Sequence, residues 1–129
     1  MDVYNINMTK IAIIEDDIAI SQMYSIKFES EGYQVQTAEN GKLGLELIEK
    51  MQPDIVLLDL MMPEMNGDEM LEKLRQTPYG KTVKVIILTN MGEQEAPANL
   101  KSLDVLAFIV KADMTPRQVA ELVKEKLTV

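Results

Sequence analysis

The chain has 129 residues, enough for one domain with one core and too few for two. Thirteen Lys and Arg against twenty-one Asp and Glu leave a net charge of −8, which disfavours contact with phosphate backbones and anionic lipid surfaces. Cysteine and histidine are both absent, which excludes disulfides, thiolate and histidine metal sites, cysteine nucleophiles and histidine-based triads, so any chemistry must run on carboxylates, lysine, hydroxyls and backbone amides.

Residues 1–9 form a lead-in to which no role is assigned, with disorder as the default expectation. From residue 10 to residue 129, short apolar runs alternate with amphipathic stretches, a βαβα rhythm that predicts a parallel sheet with helices on both faces. The predicted strands are Lys10–Ile14, Tyr33–Thr37, Asp54–Leu58, Val83–Leu88 and Leu106–Val110, rich enough in Ile, Val and Leu to be buried on both sides. Ile20, Met23, Tyr24 and Phe28 recur at helical spacing in the first predicted helix, and Gly44, Leu47, Ile48 and Met51 in the second. The third is expected to start at Asn66, with Glu69 completing a capping-box pattern and Met70, Leu71 and Leu74 facing inward. Pro97 leaves a short, mobile fourth segment, Ala98–Leu103. Thr115, Pro116 and Gln118 mark the start of the fifth, whose inner face carries Val119, Leu122, Val123 and Leu127. No apolar run approaches the ~20 residues a membrane helix requires and no signal-peptide pattern opens the chain, so a cytoplasmic location is expected.

Open parallel sheets bind ligands beyond the carboxyl ends of their strands. The predicted strands end in Glu15, Asp16 and Asp17, in Asp59, in Thr89 and in Lys111. Crowded carboxylates raise one another's pKa, a cost relieved by a hard divalent cation or an ammonium, and magnesium suits one or two carboxylates plus a phosphate. Asp17 reads instead as the cap of the first helix.

The strings Ile11-Ala12-Ile13-Ile14-Glu15-Asp16-Asp17, Ile55 through Gly67, Leu88-Thr89 and Ile109-Val110-Lys111, in this order and at these separations, resemble the signatures of bacterial two-component response-regulator receiver domains, of the single-domain chemotaxis-regulator kind. The resemblance implies a flavodoxin-like, doubly wound five-stranded sheet in the order 2-1-3-4-5 with five helices. It also implies that Asp59 accepts a phosphoryl group from a histidine kinase or phosphotransfer protein. Magnesium would be held by Asp16, Asp59 and the Met61 backbone carbonyl, with Glu15 acting through water. Thr89 and Lys111 would contact the phosphoryl group, and Thr89 and Phe108 would switch the surface of the fourth helix, fifth strand and fifth helix that a downstream protein reads. Such a domain is a signalling module that assists its own phosphorylation and dephosphorylation, not an enzyme.

The chain departs from the family pattern at Ala112, where proline is usual after the lysine, at Asn90 after Thr89, and at Asp104, where a glycine commonly ends the fourth helix. Met61 stands where a side chain often orients hydrolytic water, so slow autodephosphorylation is expected. Apolar Leu103, Val105, Leu106 and Phe108 on an edge strand suggest self-association. Two other readings share the architecture. A flavin-binding module would want a glycine- or hydroxyl-rich phosphate loop after the first strand, where Glu15, Asp16 and Asp17 repel an anion. A magnesium-dependent aspartyl phosphatase would want a second aspartate where Met61 stands.

Overall fold

The structure, a computed structural model, describes residues 9–128, so all of the lead-in except Thr9 lies outside the described residues. Five parallel strands, β1 (Lys10–Ile14), β2 (Gln34–Ala38), β3 (Ile55–Leu58), β4 (Lys84–Thr89) and β5 (Val105–Val110), form one sheet in the order β2-β1-β3-β4-β5. Helices α1 (Ile18–Ser30), α2 (Gly41–Met51), α3 (Gly67–Arg75) and α4 (Pro116–Leu127) cover it. This is the expected doubly wound, flavodoxin-like topology.

Alternation along the strands sorts the apolar side chains into two cores. Ala12, Ile14, Val56, Leu58, Val85 and Ile87 pack with Ile48 of α2 and Met70, Leu71 and Leu74 of α3. Ile11, Ile13, Ile55, Leu57, Ile86 and Leu88 pack with Tyr24 and Phe28 of α1 and Val119 and Val123 of α4. The central strands β1, β3 and β4 are therefore buried on both faces, as expected, but the border strands are not. Gln34, Gln36 and Thr37 of β2 and Leu106 of β5 are exposed, because a strand with one neighbour also lacks half of its helical cover. Met23 of α1 likewise points outward.

Two expected helix starts form. Asp17 Oδ1 accepts the Ile20 amide at 3.1 Å, and Thr115 and Gln118 close a reciprocal capping box. Asn66 holds the expected N-cap position, its carbonyl accepting Met70 N–H at 3.0 Å, but its side chain makes no cap hydrogen bond, and Gly67 N–H donates to Leu60 O at 2.9 Å. The loop leaving β3 thus sets where α3 begins, and Asp68 and Glu69 supply negative charge to its first turn.

Among the described residues there are four α-helices, not the five expected. In place of the expected fourth helix there are two 3₁₀ turns, Glu93–Glu95 and Ala98–Ser102, because Ala96 and Pro97 are extended between them, with ψ of 149° and 138°. Asp104, expected to stand where a glycine is common, takes the left-handed conformation, with φ of 55°. Aspartate tolerates that region, and Arg75 Nη2 donates to the Asp104 carbonyl at 3.1 Å. Among the described residues no peptide bond is cis, that between Lys111 and Ala112 included.

Candidate functional site

The sheet order reverses between β1 and β3, the topological switch point where such folds bind ligands. Ile14 pairs with Leu58, so Glu15 and Asp59 leave adjacent strands side by side, and Asp59 N–H donates to Ile14 O at 3.0 Å. Carboxylate oxygens of Glu15, Asp16 and Asp59 all lie within 4.8 Å of one another. Glu15 and Asp59 are buried, at 4% and 5% exposure, whereas Asp16 faces solvent. Oxygen donors in this density, one of them open to water, fit a hard divalent cation.

Lys111 closes the cluster from the end of β5. It lies in the 3₁₀ turn Lys111–Asp113, and its Nζ hydrogen-bonds Glu15 Oε1 and reaches Asp59 Oδ2 at 3.3 Å. The other Asp59 oxygen, Oδ1, accepts the Met61 amide at 3.2 Å, and Glu15 Oε2 accepts the Asp17 amide at 3.1 Å. Glu15 and Asp59 are therefore aimed by backbone amides as well as by charge.

Burial pushes the Glu15 carboxyl up to about 7, against the lowering pull of the Lys111 hydrogen bond and the Asp17 amide. Burial alone would lower Lys111, but pairing with Glu15 and Asp59 outweighs it and raises the ammonium above its ordinary value. A carboxylate in this position is held in its charged form only if positive charge stays nearby.

Thr89 ends β4 and is fully buried. Its hydroxyl oxygen accepts the Met91 amide at 3.3 Å, within its own turn. Phe108 pairs with Ile87 and Val110 with Thr89, so Thr89 and Phe108 stand on the same face of neighbouring strands. Phe108 is half-buried. Met61 is 55% exposed beside the acidic cluster, and Leu106 is 40% exposed on the border strand.

Sequence reasoning missed Arg75. Its guanidinium donates to the carbonyls of Leu103 and Gly80 at 2.9 Å, Val83 at 2.7 Å and Asp104 at 3.1 Å, tying α3 to the amino ends of β4 and β5. An arginine late in a helix carries no local signal that distinguishes this role from a solvated charge.

Strand order and cluster together define an open, doubly wound α/β domain with an acid-and-lysine pocket at its switch point. The response regulator receiver domain family model matches residues 11–124. Sporulation initiation phosphotransferase F of Bacillus subtilis is 35% identical over 102 residues, covering 79% of this chain and 81% of that protein. The DNA-binding dual master transcriptional regulator RpaA of Synechocystis is 41% identical over 86 residues, covering 67% of this chain but 36% of that protein. Among solved structures, a CheY-like receiver domain protein from Methanospirillum hungatei superposes with a TM-score of 0.85 at 33% identity, covering 95% of each chain. The chain belongs to the response regulator receiver domain family. It spans about a third to a half of the length of some curated relatives, 36% of RpaA and 51% of the phosphate regulon regulator PhoB of Rhizobium meliloti.

Proposed function

We propose that Asp59 is the phosphoacceptor of this receiver domain, and that a histidine kinase or phosphotransfer protein supplies the phosphoryl group in a magnesium-dependent reaction. The observation that carries the proposal is the convergence of Glu15, Asp16, Asp59 and Lys111 at the tip of the central strands. The similarity to a phosphotransferase over 79% of the chain supports it.

One carboxylate oxygen of Asp59 forms the new bond to phosphorus while the phosphorus–nitrogen bond of the donor breaks, and the nitrogen leaves with the electron pair. Asp16, Asp59 and the Met61 carbonyl would hold magnesium, with Glu15 reaching it through water. The ion supplies positive charge that neutralises the incoming phosphoryl oxygens. Lys111, already beside Asp59, pairs with the same oxygens. Thr89 accepts from Met91 and so keeps its own proton free to donate to the phosphoryl group. Phe108, on the same face, follows that movement and changes the surface offered to a downstream protein. Exposed Leu106 makes the 103–108 region the place where two copies would meet. The domain works as a cytoplasmic signalling switch, and among the described residues no helix is long and apolar enough to cross a membrane.

The flavin reading finds no support, since the loop after β1 presents Glu15 and Asp16 where a phosphate would sit. Incubation with acetyl phosphate and magnesium, followed by intact mass, tests the proposal. One phosphoryl adduct is expected on the wild-type chain and none on Asp59→Asn or in the presence of a chelator. Equal labelling of Asp59→Asn would overturn it. The exposed thioether of Met61 leads us to expect an adduct that outlasts seconds in magnesium buffer.

A further inference from the structure

The stretch between Thr89 and β5 is hydrogen-bonded to another element at one end only, with Met91, Ala96 and Leu100 resting on the core. Among the described residues, the hydrogen bonds of residues 91–98 are local: Met91 N–H to Thr89 Oγ1, Glu95 N–H to Gly92 O, Ala96 N–H to Glu93 O and Leu100 N–H to Pro97 O. Space around Gly92 is open, since a Cβ there would meet nothing within 4 Å. The first bond to another element comes at Asn99, whose Nδ2 donates to Glu72 Oε2 on α3. Behind it, Arg75 grips the Leu103 and Asp104 carbonyls.

These two attachments differ in kind. Arg75 also holds Gly80 O and Val83 O, so its guanidinium is anchored on both sides of the turn. Glu72 is an exposed carboxylate with a single partner from the 98–102 turn. That turn is a five-residue 3₁₀ run, at the long end for a geometry with weaker hydrogen bonds than an α-helix. α3 itself is rooted by buried Met70, Leu71 and Leu74.

We infer that the Glu72–Asn99 hydrogen bond is a latch that favours the unphosphorylated arrangement of residues 93–102, with Arg75 as the fixed pivot behind it. The inference rests on the reading of Asp59 as phosphoacceptor. Movement of Thr89 toward a phosphoryl group draws Met91 with it, passes through a stretch that touches the rest of the fold by the apolar contacts of Met91 and Ala96, and meets its first hydrogen bond to another element at Asn99. Opening the latch then lets the segment swing about residues 103–104. Because ligands shift a two-state equilibrium by differential affinity, a latch that holds one state weakens binding to the other.

Asn99→Ala, Glu72→Ala and the double variant are compared with wild type by calorimetric titration of beryllium fluoride in magnesium buffer. Amide exchange over residues 93–102 is followed in parallel, with Glu69→Ala as a control on the same helix. Each single variant is expected to bind beryllium fluoride about two- to tenfold more tightly, the range that the net contribution of one ordinary, solvent-exposed hydrogen bond commands. The double variant should match the singles, because both remove the same bond. Exchange in the segment should quicken without ligand and converge with wild type when ligand saturates. Unchanged or weaker binding in the single variants, or additive gains in the double variant, would overturn the latch. Failure of the wild-type chain to bind beryllium fluoride would instead overturn the phosphoacceptor reading on which the latch rests.

Discussion

Lys111→Met is expected to slow phosphoryl incorporation from acetyl phosphate by about a hundredfold, the usual cost of removing one preorganised charge donor. The same variant should destabilise the metal-free fold. Lys111 is 9% exposed at its side chain and bridges two carboxylates that are themselves buried, so its loss leaves Glu15 and Asp59 without a counter-charge. Breaking such a pair from one side costs about 3–5 kcal/mol when both charges persist. Glu15 limits that cost by taking up a proton. Its folded-state value of about 7 already lies above the unfolded 4.5, so the favourable contribution is complete below about 4.5 and is lost as pH rises through about 7. Without Lys111 the folded value moves further up, and the loss deepens on the alkaline side. Urea denaturation in a chelator should therefore show a larger deficit for Lys111→Met near pH 8 than near pH 5, with magnesium restoring part of it. A deficit independent of pH would mean that the carboxylates and the ammonium are not coupled.

Gly67→Ala is expected to be the most damaging of the single-methyl changes. A Cβ at Gly67 would lie 2.1 Å from the Asp59 carbonyl oxygen and 2.9 Å from Leu60 Cα, both backbone atoms that no side-chain rotation can move aside. The first residue of α3 packs directly on the backbone that carries Asp59, and its amide donates to Leu60 O at 2.9 Å. Relief requires shifting either α3, rooted in the core by Met70 and Leu71, or the backbone of Asp59. The expected result is a stability loss of about 2–3 kcal/mol in denaturant titration, together with slower labelling, because overpacking here displaces the site itself. Gly92→Ala, which adds its methyl to open space, should leave both nearly unchanged. Equal behaviour of the two variants would contradict the packing described.

What the chain declares locally is reliable here. Runs such as Ile55-Val56-Leu57-Leu58 declare a central strand because only a strand flanked on both sides buries four successive apolar residues, and Asp59 at its end is then placed without further information. Thr115 and Gln118 cap α4 from within their own turn. The features that escaped depend on contacts between distant segments. The exposure of β2 follows from its border position, not from its composition. Asn66 begins α3 as its residue type suggests, but the helix start is tied by Gly67 N–H to the distant Leu60 O and not by the Asn66 side chain. The two 3₁₀ turns that replace a helix depend on how Pro97 divides the segment and on anchors at Glu72 and Arg75, all but one of which lie on another element.

The most direct test is a crystal structure of the protein grown with magnesium and beryllium fluoride. The predicted result is a fluoride adduct continuous with an Asp59 carboxylate oxygen, a cation touching Asp16 and Asp59, and Lys111 Nζ turned to a fluorine. An empty pocket with Glu15, Asp16 and Asp59 spread apart, or an adduct on a different carboxylate, would contradict the account.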